Sequence, residues 1–315
     1  MDYLQLIAGL IILVIGGESL VKGAVSIALR AKISSLVIGM TVVSFGTSAP
    51  ELLVSLKAAL SGHPDVSVGA VVGSNISNLG LVLGITVLIF PILVHRDSIR
   101  IDWPLMMLAT LLFFGFAIDG LIDFYEGLFF VFILLAFTSW LIYRSRKQGK
   151  ILAAEQDITS EGASNSILKD VLLLLGGIVG LYFGAEWLIN SVVNIAESHH
   201  ISEKLISITV VAFGTSLPEL VTCTMASLRK ESDISVGNLI GSNLFNILAI
   251  LGITAMVEPI SVTESINNFD VYFLLAISAL ILPFMLLGKY FGRIKGGVLI
   301  LIYIIYIYFS IISEI

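Results

Sequence analysis

Two glutamates, Glu51 and Glu219, each follow the turn Gly-Thr-Ser-x-Pro in the middle of a long apolar stretch. A carboxylate at the centre of a bilayer costs roughly 3 kcal/mol or more, so it normally faces a cavity and marks an ion path. A protonated or helix-capping glutamate is the plainer reading, but a mere cap has no reason to recur with the same neighbours. Pro50 and Pro218 lack a backbone donor and free the carbonyl one turn earlier. With Gly46 and Gly214 ahead of them, the carbonyls of Ser44 to Ser48 and of Ala212 to Ser216 can face a cation. That is tolerated only where backbone lines a protein cavity. A second pattern, Gly-Ser-Asn-x-x-Asn, supplies Ser74, Asn75 and Asn78, and again Ser242, Asn243 and Asn246. Ser74 and Asn78 are four apart and share a helix face, as do Ser242 and Asn246, whereas Asn75 and Asn243 point elsewhere. Such side chains can be ion ligands or helix–helix contacts, and Gly69/Gly73 and Gly237/Gly241 read as small-residue contacts. The set is all oxygen, without His or Cys, which suits hard cations such as Ca²⁺ and Na⁺ rather than zinc or copper. Two carboxylates neutralise one Ca²⁺ or accept several Na⁺; mutually exclusive occupancy would couple the two ions as in an antiporter.

These patterns belong to one duplication. TVVSFGTSAPEL (41–52) returns as TVVAFGTSLPEL (209–220), and DVSVGAVVGSNISN (65–78) as DISVGNLIGSNLFN (233–246), at one offset of 168 residues without a gap. Over 39–84 against 207–252, 22 of 46 positions are identical, and the matches fall on Gly, Pro, Ser, Asn and Glu, where shared apolar composition cannot produce them. The same offset aligns Glu18 with Glu186, so the duplicated unit includes the preceding helix.

The elements that carry these residues must cross a membrane. Hydrophobic residues make up 57% of the 315, charged residues only 13%, and the mean hydropathy is +1.03, against roughly 25% charged in a soluble domain. Apolar runs between charged or turn-forming breaks predict ten spans, near 4–29, 33–60, 66–92, 103–118, 123–143, 166–196, 203–228, 234–257, 269–288 and 296–313. The first is read as a transmembrane helix and not a signal peptide, having an acidic start and no basic flank. Residues 1–146 form a first five-helix repeat, 147–165 a short polar cytoplasmic linker, and 166–315 a second repeat. Placing the loops around Arg30–Lys32, Arg96–Arg100, Arg144–Lys169, Arg229–Lys230 and Lys289–Lys295 on one side collects 14 of 17 Lys and Arg. By the positive-inside rule that side is cytoplasmic and both termini are extracytoplasmic, in the cell membrane. Five spans separate equivalent points, so the second repeat crosses in the opposite direction. Inverted repeats with Gly- or Pro-interrupted helices mark secondary transporters.

Other classes fit poorly. A net charge of −6 with basic residues confined to loops argues against nucleic acid. The single Cys223 forms no intramolecular disulfide, and the four histidines (63, 95, 199, 200) lie in loops. The spans hold no Ser/His/Asp set or paired catalytic Asp, so no enzyme is expected, and no obligatory protein partner or cofactor is implied beyond the bilayer and the transported ions. A channel would lack counter-ion dependence.

At these motifs the chain resembles the prokaryotic sodium/calcium exchangers of the cation/calcium exchanger superfamily, over essentially its whole length. The resemblance implies ten helices, with discontinuous helices 2, 3, 7 and 8 forming a core of ion sites against which helices 1 and 6 slide. It implies a calcium site of the Glu51 and Glu219 carboxylates with the carbonyls of Thr47 and Thr215. Sodium sites would use Ser48, Ser74, Ser216 and Ser242 with the carbonyls of Ser44 and Ala212, and Asn78 and Asn246 would stand centrally. Some relatives carry Asp where this chain has Asn246; two carboxylates, not three, leave Na⁺, H⁺ or K⁺ coupling open. The short linker implies no separate calcium-sensing domain.

Overall fold

The computed structural model describes residues 2–63, 65–155, 166–198, 214–262 and 269–313. In a bilayer every backbone polar group must be satisfied internally, which leaves these apolar segments little alternative to helix. The described helices are α1 (Asp2–Ala31), α2 (Ser35–Leu60), α3 (Val66–Ile89) and α4 (Ser98–Ala117), then α5 (Phe124–Glu155) and α6 (Ile167–Ser198). They continue with α7 (Leu217–Leu228), α8 (Ser232–Val257), α9 (Val271–Leu286) and α10 (Arg293–Ser313). Eight of them are long and apolar enough to cross a membrane, while α7 and α9 are shorter apolar helices. Lys204, His199, His200 and linker residues 156–165 lie outside the described residues, as does the predicted span 203–228 before Gly214.

The 168-residue repeat is visible in the backbone. Helices α2 and α7 end in the same way: His63 N–H bonds Ala58 O and Gly62 N–H bonds Ala59 O, just as Glu231 N–H bonds Ala226 O and Lys230 N–H bonds Ser227 O. Gly62 and Lys230 both take the left-handed conformation (φ 84° and 63°) that closes this helix end. Glycine adopts it freely; at Lys230 the Cβ makes it costly, by roughly 1 kcal/mol. A second such pair, Gly120 and Gly288, has φ of 83° and 93°. Four two-residue strands add two small ribbons, in which Ile92–Leu93 (β1) pairs with Tyr290–Phe291 (β4) and Leu121–Ile122 (β2) with Ile260–Ser261 (β3).

The chain forms two compact units, Met1–Thr47 with Thr138–Asn238, and Ser48–Phe137 with Leu239–Ile315, so each draws on both repeats. In the first unit α1 and α6 touch backbone to backbone. A Cβ at Gly16 would lie 2.8 Å from Leu181 N, and one at Gly177 2.5 Å from Leu20 N. Leu13, Leu20, Val21, Leu174 and Leu181 close the seam on either side. At its end Arg30 Nη2 and Nε reach the buried Asp170 Oδ2 at 3.0 and 3.3 Å. Glu18 holds Lys22 at 2.8 Å on its own helix and also accepts from Arg229 beyond α7.

In the second unit α3 and α10 approach closely at Gly84 and Gly296, where a Cβ at Gly84 would lie 3.0 Å from Gly296 O. Lys295 caps the end of α9, its Nζ donating to Phe284 O and Tyr290 O at 2.7 and 2.8 Å.

Candidate ion-binding site

Most of the motif residues are buried. Ser44, Thr47, Ser48, Ser74, Asn78, Ser216, Glu219, Ser242 and Asn246 are all buried, as are both carboxylate oxygens of Glu51. Thr215 is exposed, and Ala212 lies outside the described residues.

Helix α2 departs from the expected opening at Ser44 to Ser48. Residues Ser44–Leu60 stay helical with Pro50 inside, and the irregular turn falls earlier, as a π-helical segment at Gly39–Val43. Proline removes one donor, so only the carbonyl of Gly46 loses its partner and the rest of the ladder survives. The second copy does restart: Ser216 is the N-cap of α7, Pro218 sits in the first turn, and Glu219 follows it. Proline suits that position because its missing N–H would have no helical partner there. Ser216 Oγ has no hydrogen-bond partner among the described residues.

Helices α3 and α8 likewise stay helical, and their interruptions are π turns at Asn78–Val82 and Asn246–Leu251. Both begin at the motif asparagine. A π turn widens the helix by one residue and is common at functional sites.

In the second unit these asparagines meet. Asn246 Nδ2 donates to Ser74 Oγ at 3.0 Å and to Asn75 Oδ1 at 2.9 Å, while Asn75 Nδ2 donates to Asn243 O at 3.3 Å. With its nitrogen so committed, Asn246 presents Oδ1 elsewhere, and that oxygen has no partner among the described residues; the same holds for both polar atoms of Asn78. An unsatisfied buried amide costs about 1–3 kcal/mol, and such groups mark functional sites or bound ions. Amide oxygens freed in this way are suitable ligands for a hard cation passing as cargo. Asn243 Nδ2 instead returns to Leu239 O at 2.8 Å on its own helix.

In the first unit Ser44 and Thr47, one turn apart on α2, both bond Asn238 on α8. Motif spacing does not single out Asn238 as a contact of α2. The available signal was its asymmetry: it is an asparagine inside an apolar helix where the first repeat has Ala70. Asn75, on another helix face than Ser74 and Asn78, has its partner Asn246 171 residues away, which a helical wheel cannot show.

The family profile for sodium/calcium exchanger proteins matches residues 1–143 and 169–312. The putative antiporter CaxA of Alkalimonas amylolytica is 35% identical over 310 residues, 96% of each chain. The sodium/calcium exchanger MaX1 of Methanosarcina acetivorans is 32% identical over 97% of each. A structure of the sodium-calcium exchanger NCX_Mj, soaked with zero Na⁺ and Ca²⁺, superposes with a TM-score of 0.84 at 30% identity, covering 97% of both chains. A membrane chain with a duplicated oxygen-rich motif, matched from end to end in sequence and fold, belongs to the sodium/calcium exchanger family.

Proposed function

We propose that this protein exchanges Ca²⁺ for Na⁺ across the cell membrane by alternating access at an all-oxygen site near the bilayer midplane. The observation that carries this reading is the duplicated pair of motifs, each placing a glutamate, hydroxyls and an amide in a buried setting. Glu51 and Glu219 supply the carboxylates for Ca²⁺, with the main-chain carbonyls of Thr47 and Thr215. Ser48, Ser74, Ser216 and Ser242, with the carbonyls of Ser44 and Ala212, serve Na⁺, while Asn78 and Asn246 contribute neutral amides. Two carboxylates balance one Ca²⁺, and Na⁺ ions compete for the same charge, so loading one ion expels the other. Both termini lie outside the cell and the basic loops inside. The family assignment and the names of the relatives CaxA and MaX1 support exchange over channel flux.

The test is ⁴⁵Ca²⁺ uptake into proteoliposomes holding the purified protein. An outward Na⁺ gradient should drive accumulation, and dissipating it should stop accumulation. Uptake that ignores Na⁺ but follows a pH gradient, or that requires K⁺, would overturn the coupling.

A further inference from the structure

A fully buried asparagine outside both motifs grips the stretch of α2 that precedes Pro50. Asn238 Oδ1 accepts from Thr47 Oγ1 at 3.1 Å; Ser44 Oγ donates to Gly39 O at 2.7 Å, with the main-chain carbonyl of Asn238 a second, longer acceptor at 3.2 Å. Ser44 and Thr47 are the two α2 residues whose own carbonyls the proposed site uses. Both carbonyls stay within the helical ladder of α2, and Ser44 O also lies 3.4 Å from Thr47 Oγ1, so what Asn238 sets is the position of this turn.

The amide has a defined orientation. Its Nδ2 donates to Cys223 Sγ at 3.4 Å, and that thiol donates its single proton to Ser235 O at 3.6 Å. With the proton spent there, sulfur can only accept, so the amide nitrogen must face it and the oxygen must face Thr47. The reach is made possible by a close crossing of α2 and α8. A Cβ at Gly39 would lie 2.8 Å from Ile234 O, and one at Gly237 2.4 Å from Leu36 O, so only glycine lets the backbones approach this far.

At the positions matching Asn238 and Cys223 the first repeat carries Ala70 and Ser55, so the same amide–thiol pair is not repeated there. We propose that Asn238 is a positioning residue for ion binding, its side chain holding the Thr47 turn of α2, and with it the Thr47 carbonyl, in place through the Thr47 hydroxyl. This rests on the site proposed above and adds to it a residue that touches no ion. It also makes the two halves of the duplicated motif unequal, with the α2 half held by a partner that repeat symmetry does not supply.

The experiment is Na⁺-driven ⁴⁵Ca²⁺ uptake in proteoliposomes by the full chain, with Asn238→Ala, Thr47→Val, the double variant and Glu51→Gln, alongside thermal melts in detergent with and without Ca²⁺. Losing one buried hydrogen bond at a ligand-bearing turn should raise the KM for Ca²⁺ about three- to tenfold. For Asn238→Ala the maximal rate and the ion-free melting temperature should stay close to wild type, while the Ca²⁺-induced rise in melting temperature shifts to correspondingly higher Ca²⁺. Thr47→Val removes the same bond from the other side, so the double variant should be no worse than either single. If Asn238→Ala fails to fold, Thr47→Val alone must show the KM shift. A wild-type KM in both single variants beside an inactive Glu51→Gln overturns the role of Asn238 and leaves the site standing. Additive effects in the double variant also overturn it. Wild-type uptake in Glu51→Gln overturns the site and this inference together.

Discussion

The two glutamates occupy unlike settings. Glu51 lies one residue beyond Pro50 within a helix that continues through it, whereas Glu219 is fully buried in the first turn of α7. If both carboxylates bind Ca²⁺ directly, neither is dispensable. Glu51→Gln and Glu219→Gln should each lower Na⁺-driven Ca²⁺ uptake by about a hundredfold or more, removal of one charged contact being worth roughly 3 kcal/mol. Each variant should still elute and melt as a folded protein; near-normal uptake in either would refute its assignment. Asn75 supports a different group, because it accepts from Asn246 and donates to Asn243 O. Asn75→Ala frees the Asn246 amide to rotate and should weaken ion binding about fivefold, read as a raised KM. An unchanged KM would show that Ser74 alone holds that amide.

At the scale of elements, the α1–α6 seam and the π turns carry different burdens. The seam is built from glycines whose backbones touch, which leaves no room for a side chain. Gly177→Val should force the helices apart and cost about 3 kcal/mol or more, lowering the melting temperature in detergent; a melt like wild type would mean that the seam yields. Arg30 closes one end of that seam on a buried carboxylate. Arg30→Ala should also destabilise, by about 3 kcal/mol, because Asp170 would lose the guanidinium beside it. The double variant Arg30→Ala/Asp170→Asn should recover much of the loss, and failure to do so in the same melt would point to lost packing instead. The π turns at Asn78 and Asn246 sit inside continuous helices, which are cheaper in a bilayer than breaks because most backbone bonds remain paired.

Over the whole molecule, the orientation proposed here puts the five loops that carry most of the basic residues in the cytoplasm and both termini outside. Because the lone Cys223 is buried, it provides a quiet background for labelling. A cysteine placed at Asp2 should react with an impermeant maleimide on intact cells, and one at Arg146 only after permeabilisation. The reverse pattern would invert the orientation. Each compact unit contains segments from both repeats, and both ribbons in the second unit join a first-repeat strand to a second-repeat strand. Duplication therefore shapes this fold through pairing between the copies.

Much of this was legible in the residues alone. Membrane class, duplication and motif residues follow from composition and from matches at a constant offset, because bilayer thickness and helical period act locally along a chain. The repeated helix ends confirm the same register in the backbone, with Gly62 and Lys230 in the same turn. What the chain order could not supply was the partner of each buried polar group. Proline at position 50 suggested an opened helix, yet the remaining hydrogen bonds keep α2 wound and move the irregularity to Gly39–Val43. The turn of the Asn246 amide toward Ser74, and the grip of Asn238 on Thr47, depend on which helices pack together and how closely. Local periodicity assigns a side chain to a face; only packing across more than a hundred residues of chain decides what that face meets.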